Sequence, residues 1–465
     1  MITIEENEDW AETEFGLAEL GDSRRTARLV EMGRIFGGQP SASIPQACPD
    51  RAAIAGAYRF FENNSIEPNA ILESHLAAST ERCRGLPVVL GVQDTTYLDW
   101  TKHPATTGLG PLATAHQQGL VVHSTLLITP KGRIPLGILS QQVWSRNAGD
   151  FAKKEDQHSR SIEDKESNKW LNSLIALNSI SSNCTGTNFI SVGDAESDVY
   201  DMFLASRLPG VDLLIRAAQN RRVEEEEKYL WARAEAAEIS ATVQVSVARK
   251  GKQAPRQATV KVRCCKVTLR PPRYRTKEKL EAVQVWVVLA KEENPPPGVE
   301  GLEWLLLTTC EVRNGRDALE IVEWYMCRWG IEVWHKVLKS GCKLESKQLE
   351  SAEALKRCLA LYSVIAWRII YATMLARSLP GAPCSLLLDK EEWEALYCYQ
   401  YKVSVPPTKP PSLHDAVQWI AMLGGFMGRK SDGEPGVTVL WRGFQRLIDL
   451  TSMYQILHPA IPLKP

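Results

Sequence analysis

The sequence predicts an α/β protein in which a core sheet is interrupted by a β-rich insertion and flanked by helical segments at both ends. Three features predict it. Residues 87 to 144 carry three β-rich runs, residues 164 to 177 switch to a helical period, and short apolar runs return at 188 to 194 and 211 to 217. More alternating runs fill roughly 223 to 312, and helical patterns dominate before residue 70 and from Trp324 onward. With 465 residues, 44% of them hydrophobic and 24% charged, the chain can hold several domains of ordinary globular composition.

Composition narrows function only a little. Lys plus Arg and Asp plus Glu both total 55, so a nucleic-acid partner has to be argued from local patches. Eleven cysteines without a CxxC pair, and eight histidines without zinc-ligand spacing, point away from a disulfide framework or a structural zinc. The opening MITIEENEDWAETEF is acidic and lacks the basic and apolar regions of a signal peptide, so free thiols in a reducing cytoplasm are expected. The apolar run Cys358 to Ala376 is interrupted by Arg368 and reads as a buried core helix, with no membrane partner.

In chain order, residues 1–70 read as helical. Asp22 or Ser23 is the expected N-cap of LGDSRRTARLVEMGRIF, and Arg24, Arg25 and Arg28 gather near one side of that helix, where phosphates could be met. AYRFFENN ends a second helix. PVVLGVQDTTYLDW then begins as a strand expected to stop at Asp94, followed by a polar loop with GLGP. GLVVHSTLLIT and GRIPLGILSQQVW pair as a hairpin about Pro130, Lys131 and Gly132. The helix DKESNKWLNSLIAL leads to NFISVGD, ending on Asp194, and a short helix with Tyr200 and Phe203 leads to VDLLIRA. Three strands, helix, strand, helix, strand is the order of a ribonuclease H-like core, and it sets Asp94 and Asp194 at the ends of strands that could lie side by side.

The insertion reads as a helix, VEEEEKYLWARAEAAE, and the alternating runs ATVQVSVARKGK, QATVKVRCCKVTLR and VQVWVVLAKE, closing on LEWLLLTTC. From Arg249 to Lys279 about a dozen basic residues face one acid, Glu278. A two- or three-stranded basic ribbon with ARKGKQAPR as a mobile tip suits a phosphate backbone; lysine protection of a sheet edge is the alternative.

The stretch WYMCRWGIEVWHKVLK, Trp324 to Lys339, reads as one helix. At about 100° per residue, Tyr325, Arg328, Glu332 and Lys339 share a sector roughly 60° wide. Trp324, Ile331 and Leu338 form an apolar stripe beside it. After LPGAP and the stiff connector SVPPTKPPS come two more helices, LHDAVQWIAML, capped by Ser412 and stopped by Gly424-Gly425, and VLWRGFQRLIDL. Packing or self-association is their expected use.

Asp94, Asp194 and Glu332 could converge on two divalent ions, since carboxylates suit hard Mg²⁺ or Mn²⁺ and a pair of such ions serves in-line attack at phosphorus. Asp99, Glu196 and Asp198 lie close by and leave the choice open; Asp194 is preferred because its strand ends there. Arg328 and Lys339 would hold phosphates and Tyr325 would orient one.

At these residues the chain resembles the bacterial DDE cut-and-paste transposases, specifically the Tn-five-like group of the insertion-sequence-four family. The matching pieces are LGDSRRTARL, AYRFF, QDTT, GLVVHS, DKESNKWL, VGDAESD, EWLLLT, YMCRWGIEVWHKVLKSG and LGGFM, in the family's order. The resemblance implies an N-terminal helical domain for DNA ends (1–70), a ribonuclease H-like catalytic domain (71–375) with its insertion at about 223–312, and a C-terminal helical dimerisation domain (376–465). It implies a metal triad of Asp94, Asp194 and Glu332 holding two Mg²⁺ or Mn²⁺ ions, with Tyr325, Arg328, Glu332 and Lys339 as the family's YREK signature. Cleavage of transposon ends by nick, hairpin and hairpin opening, then joining to target DNA by a homodimer, is the implied activity, in a bacterial, nucleoid-associated setting. DNA contacts would come from Arg24, Arg25 and Arg28, from Arg216, Arg221 and Arg222, and from Lys336, with Trp304 and Trp329 stacking on a flipped base. A ribonuclease H-like nuclease without strand transfer and a catalytically silent DNA-binding regulator are the alternatives.

Overall fold

The structure, a computed structural model, describes residues 9–147, 149, 166–247, 255–429 and 432–458. The expected tip ARKGKQAPR lies largely outside the described residues. The chain divides into two compact units, one of Met1–Arg84, Thr95–Lys154 and Gly330–Pro465, the other of Gly85–Asp94 and Glu155–Trp329. The strands in chain order are β1 (Val88–Asp99), β2 (Gly110–Pro111), β3 (Gln118–Ile128), β4 (Pro135–Trp144), β5 (Asn188–Gly193), β6 (Val211–Arg216), β7 (Ile239–Val247), β8 (Arg256–Leu269), β9 (Val283–Lys291) and β10 (Glu303–Thr308).

The second unit is built on a mixed sheet in the order β1, β5, β6, β10, β9, β8, β7. β1 and β5 are parallel, with Val88 opposite Asn188 and Val92 opposite Val192, and β5 and β6 are parallel from Phe189 opposite Val211 to Gly193 opposite Ile215. Parallel strands are covered on both faces, which is why VVLGV, FISV and LLI read as continuous apolar runs. Val89, Leu90, Phe189, Val192, Leu213 and Leu214 are all fully buried. The helix Asn168–Ser181 buries Trp170, Leu174 and Leu177. With the hairpin of β3 and β4 preceding it, this is the ribonuclease H-like order read from the sequence.

Three expectations are corrected. β1 does not stop at Asp94 but runs on to Asp99; its pairing with β5 ends at Val92, so Asp94 stands where the ladder, not the strand, gives out. The insertion supplies three antiparallel strands, β7, β8 and β9, which join β10 and β6 in one sheet. Its helix is only Leu230–Ala236, because Arg222 and Val223 are drawn into bridges with Tyr229 and Leu269 and four successive glutamates repel. Trp324 to Lys339 is not one helix: Gly315–Met326 tightens at Cys327, Arg328 N–H bonds back to Tyr325, Trp329–Lys336 begins anew, and Val337–Gly341 is a π turn.

The first unit packs helices on the β3–β4 hairpin. Ser23–Gly38 is capped by Asp22, whose carboxylate accepts from Arg24 N–H, and Arg51–Phe61 by Asp50. The 27-residue helix Ala352–Ser378 runs through the core. It is the one described helix long and apolar enough to cross a bilayer, yet 89% of its most apolar window is buried inside the protein, which is its use here. Trp334 and Trp367 donate to Ser363 and Pro135 carbonyls from within that core. The helix Leu413–Leu423, with its Ser412 cap and Gly424 stop, packs with Val437–Leu457 and with Lys390–Tyr401, a helix the sequence reading passed over.

Candidate active site

The parallel register of β1 and β5 carries the central geometry. Val92 pairs with Val192, the last rung of the ladder, and Asp94 and Asp194 each follow two residues beyond it, at the ends of neighbouring runs whose usual spacing in a sheet is about 4.8 Å. A buried rung fixes that register: Gln93 Nε2 donates to Ser191 Oγ at 2.6 Å. These two polar residues inside apolar runs are a signal that the sequence reading left unused. Gly193 lets the chain turn at once, since a Cβ there would lie 2.2 Å from Ser197 Oγ. Asp194 then caps the short turn Ala195–Ser197, one carboxylate oxygen accepting from Glu196 N–H at 2.9 Å.

The neighbouring acids are occupied otherwise. Asp198 is buried, and its carboxylate accepts from Ala218 N–H and Gln219 N–H, both at 2.8 Å, and from Arg221 at 2.6 Å. Asp99 accepts from the Thr101 amide and hydroxyl at 2.8 and 2.5 Å, and hydrogen bonding to Thr101 holds its carboxyl below the usual range. Glu196 is exposed, with Lys169 at 3.5 Å.

Around the two aspartates the second unit collects four more of the expected residues. Arg328 Nη1 stands 3.9 Å from Asp94 Oδ2. Tyr325 is buried, and burial pushes its hydroxyl above the ordinary phenol range, against the pull of Arg328 and a hydrogen bond with Arg216; the charge of Asp194 adds to the upward push. Trp304 is half-buried, its ring 6.0 Å from that of Tyr325 and tilted by 59°. With Arg216, Lys291 and Glu303 it lines a cleft of about 650 Å³. Trp329 is 63% exposed.

The remaining expected residues lie as follows. Glu332 and Lys336 are on Trp329–Lys336, half-buried and exposed respectively, and Lys339 sits half-buried in the π turn, all in the first unit. Arg221 is committed to Asp198, so in RAAQNRR the exposed cation is Arg216, while Arg222 donates to Pro271 O. At the start of Ser23–Gly38, Arg24 is 89% exposed beside Asp22, Arg25 donates to Leu20 O, and Arg28 pairs with Glu31. Among the described residues no three His, Cys, Asp or Glu side chains form a group that could hold an ion unaided.

Two family models match the chain. One, described as transposase DNA-binding, covers residues 7–66, and the other, described as the transposase Tn5 dimerisation domain, covers residues 364–453. The first takes in the Asp22-capped helix and its arginines, and the second begins inside Ala352–Ser378, takes in Lys390–Tyr401 and Leu413–Leu423 and ends within Val437–Leu457. The chain is thus similar to Tn5-like transposases in a DNA-binding segment at one end and a dimerisation segment at the other, and a ribonuclease H-like sheet lies between them in the sequence.

Proposed function

We propose that this chain is a transposase that cleaves transposon ends by divalent-metal-dependent phosphoryl transfer, through nick, hairpin and hairpin opening, and joins the freed 3′ ends to target DNA. Support for this reading comes from Asp94 and Asp194 each lying two residues beyond the last rung of the parallel β1–β5 ladder, with Arg328 beside Asp94. Asp94, Asp194 and Glu332 would hold two Mg²⁺ or Mn²⁺ ions, which when bound activate the attacking oxygen and stabilise the leaving one. Arg328 and Lys339 neutralise phosphate oxygens on either side of the scissile bond. Tyr325, kept protonated by burial, donates its hydroxyl to a phosphate oxygen. Trp304 offers a face for a base turned out of the stack at the hairpin, with Trp329 as a second platform.

Residues 1–70 read the end sequence through Arg24, Arg25 and Arg28, residues 71–375 hold the chemistry, and residues 376–465 join two copies so that two ends are bridged. The experiment is direct. DNA carrying the inverted repeats that flank the gene is incubated with protein and Mg²⁺ and run on a denaturing gel. Nicks followed by a hairpin at the repeat boundary are expected; a specific native-gel shift without any cleavage would reduce the chain to a silent DNA-binding protein.

A further inference from the structure

The basic insertion sorts its cations into two populations. Arg256 forks onto Glu292, Lys261 and Arg263 share Glu293, Arg275 bridges Glu278 and Asp201 at 2.6 and 2.7 Å, and Lys266 lies over the Trp286 ring. Those charges are spent inside the sheet. Arg270, Arg273, Lys277 and Lys279 are exposed and make no side-chain ion pair or hydrogen bond among the described residues. They follow the end of β8, in and around the turn Arg273–Glu278, not along the ladder of the edge strand β7, so protection of a sheet edge does not explain them.

The same end of the insertion gathers further cations. Arg270 N–H donates to Arg222 O at 2.9 Å, and Val223 bridges Leu269. Arg222, Lys228, Tyr229, Arg270 and Arg273 line a cleft of about 340 Å³, wide enough for a phosphodiester. Glu224, Glu225 and Glu226 also line it, but its four cations outnumber them, and Lys277 and Lys279 add positive charge outside the cleft. Tyr229 and Tyr274 are exposed between the cations. The loop is held in place: Arg275 ties it to Asp201, and Tyr200 donates its hydroxyl to Leu269 O and Glu281 O. A loop already fixed loses little entropy on binding. Asp198, four residues after Asp194, grips Arg221 next to Arg222, so the surface begins close along the chain to the acidic strand ends.

We propose that this surface is a second, sequence-independent DNA site, which holds the phosphate backbone of duplex lying beyond the cleaved end. It rests on the reading of the chain as a transposase. The duplex could be the flanking donor DNA or the target, which share one backbone chemistry.

The full chain carrying Arg270→Gln, Arg273→Gln and Lys277→Gln tests it, with Lys261→Gln, Arg263→Gln as a control whose charges are already spent on Glu293. Binding is measured against salt on repeat DNA that stops at the cleavage boundary, on repeat DNA with flank, and on unrelated duplex, with joining of pre-cut ends to a target plasmid as a further readout. The triple variant should bind boundary-length DNA as the wild type does and lose about 2 to 3 from the log–log salt slope on longer DNA, the loss of about three phosphate contacts. Loss confined to flanked repeats identifies the flank, and loss confined to target joining identifies the target. Unchanged slopes on every DNA, an equal change in the control, or equal weakening on boundary-length DNA would overturn the site. If the wild type neither cuts nor joins but the slope difference persists, the transposase chemistry fails and the backbone site stands.

Discussion

Asp198 and Asp94 each face an arginine within the same unit, and their surroundings are opposite. Asp198 is buried, 2.6 Å from Arg221, and two backbone amides complete its shell. Asp94 keeps 19% of its side chain exposed, and Arg328 stands off at 3.9 Å. A carboxylate sealed among fixed donors cannot turn to a new ligand without stranding a buried guanidinium. At 3.9 Å and partly in water, an arginine gives up little when the carboxylate accepts something else. The comparison separates an acid that holds the chain together from the acid to which the proposed function gives the chemistry.

The largest expected effect tests the acting half of that comparison. Asp94→Asn and Asp194→Asn should each cut the cleavage rate by about a thousandfold or more, the several kcal/mol that charge stabilisation supplies, while thermal melting moves little. Glu332→Ala should likewise abolish cleavage and leave specific end binding largely intact; equal loss of both would remove Glu332 from the metal-holding role. If the asparagine variants melt as early as an Asp198 variant, the distinction between the two pairs collapses.

Next in size, Asp198→Ala should destabilise the fold by about 3–5 kcal/mol, because Arg221 is left charged and buried. Denaturant unfolding measures it, and adding Arg221→Met should recover part of the loss. A smaller effect is expected at Trp304→Ala: nicking at the normal rate with hairpin yield down roughly tenfold, in line with the stacking of one base on an aromatic ring. Full hairpin yield would return Trp304 to a packing role.

The smallest effect concerns a second buried acid, Glu14. Burial alone would raise the Glu14 carboxyl, but Arg82 and His75 overcome it and hold it at about 2. Burial pushes the His75 imidazole below its ordinary value of 6.5, against the pull of Glu14, and its Nε2 accepts from Ile138 N–H. The unfolded chain therefore takes up a proton on His75 that the folded chain resists, so stability should start to fall as pH drops below about 6.5. The Glu14 contribution, complete above its unfolded value of 4.5, is lost as pH falls from there toward 2. Melting temperature against pH shows both steps, and His75→Gln should remove the first.

The order of strands and helices was legible because a change of hydrophobic period marks each switch, and Asp194 because a strand ends beside a turn. The helix break at Cys327 was not, since apolar spacing looks the same whether one amide bonds back three residues or four. Nor could composition distinguish Asp194 from Asp198, four residues apart, because the difference lies in the amides of Ala218 and Gln219, which only the folded sheet brings near. The basic ribbon misled for a related reason. Its opposing acids, Glu292 and Glu293, follow β9 some 30 residues later, and the pairing of Lys261 with Lys291 is what carries them alongside.

The helix Ala352–Ser378 sets a limit on how this chain can be rearranged. Near its start Arg357 donates to the carbonyls of Phe61 and Ile66, inside or at the edge of the DNA-binding segment, while the dimerisation segment begins further along the same helix. A chimera spliced at the boundary of the dimerisation segment would cut that helix mid-span, between Ser363, which receives Trp334, and Trp367, which anchors to β4. The two matched segments are therefore not interchangeable cassettes. A graft that swaps partners has to be joined in the loop beyond Ser378, with the helix left whole.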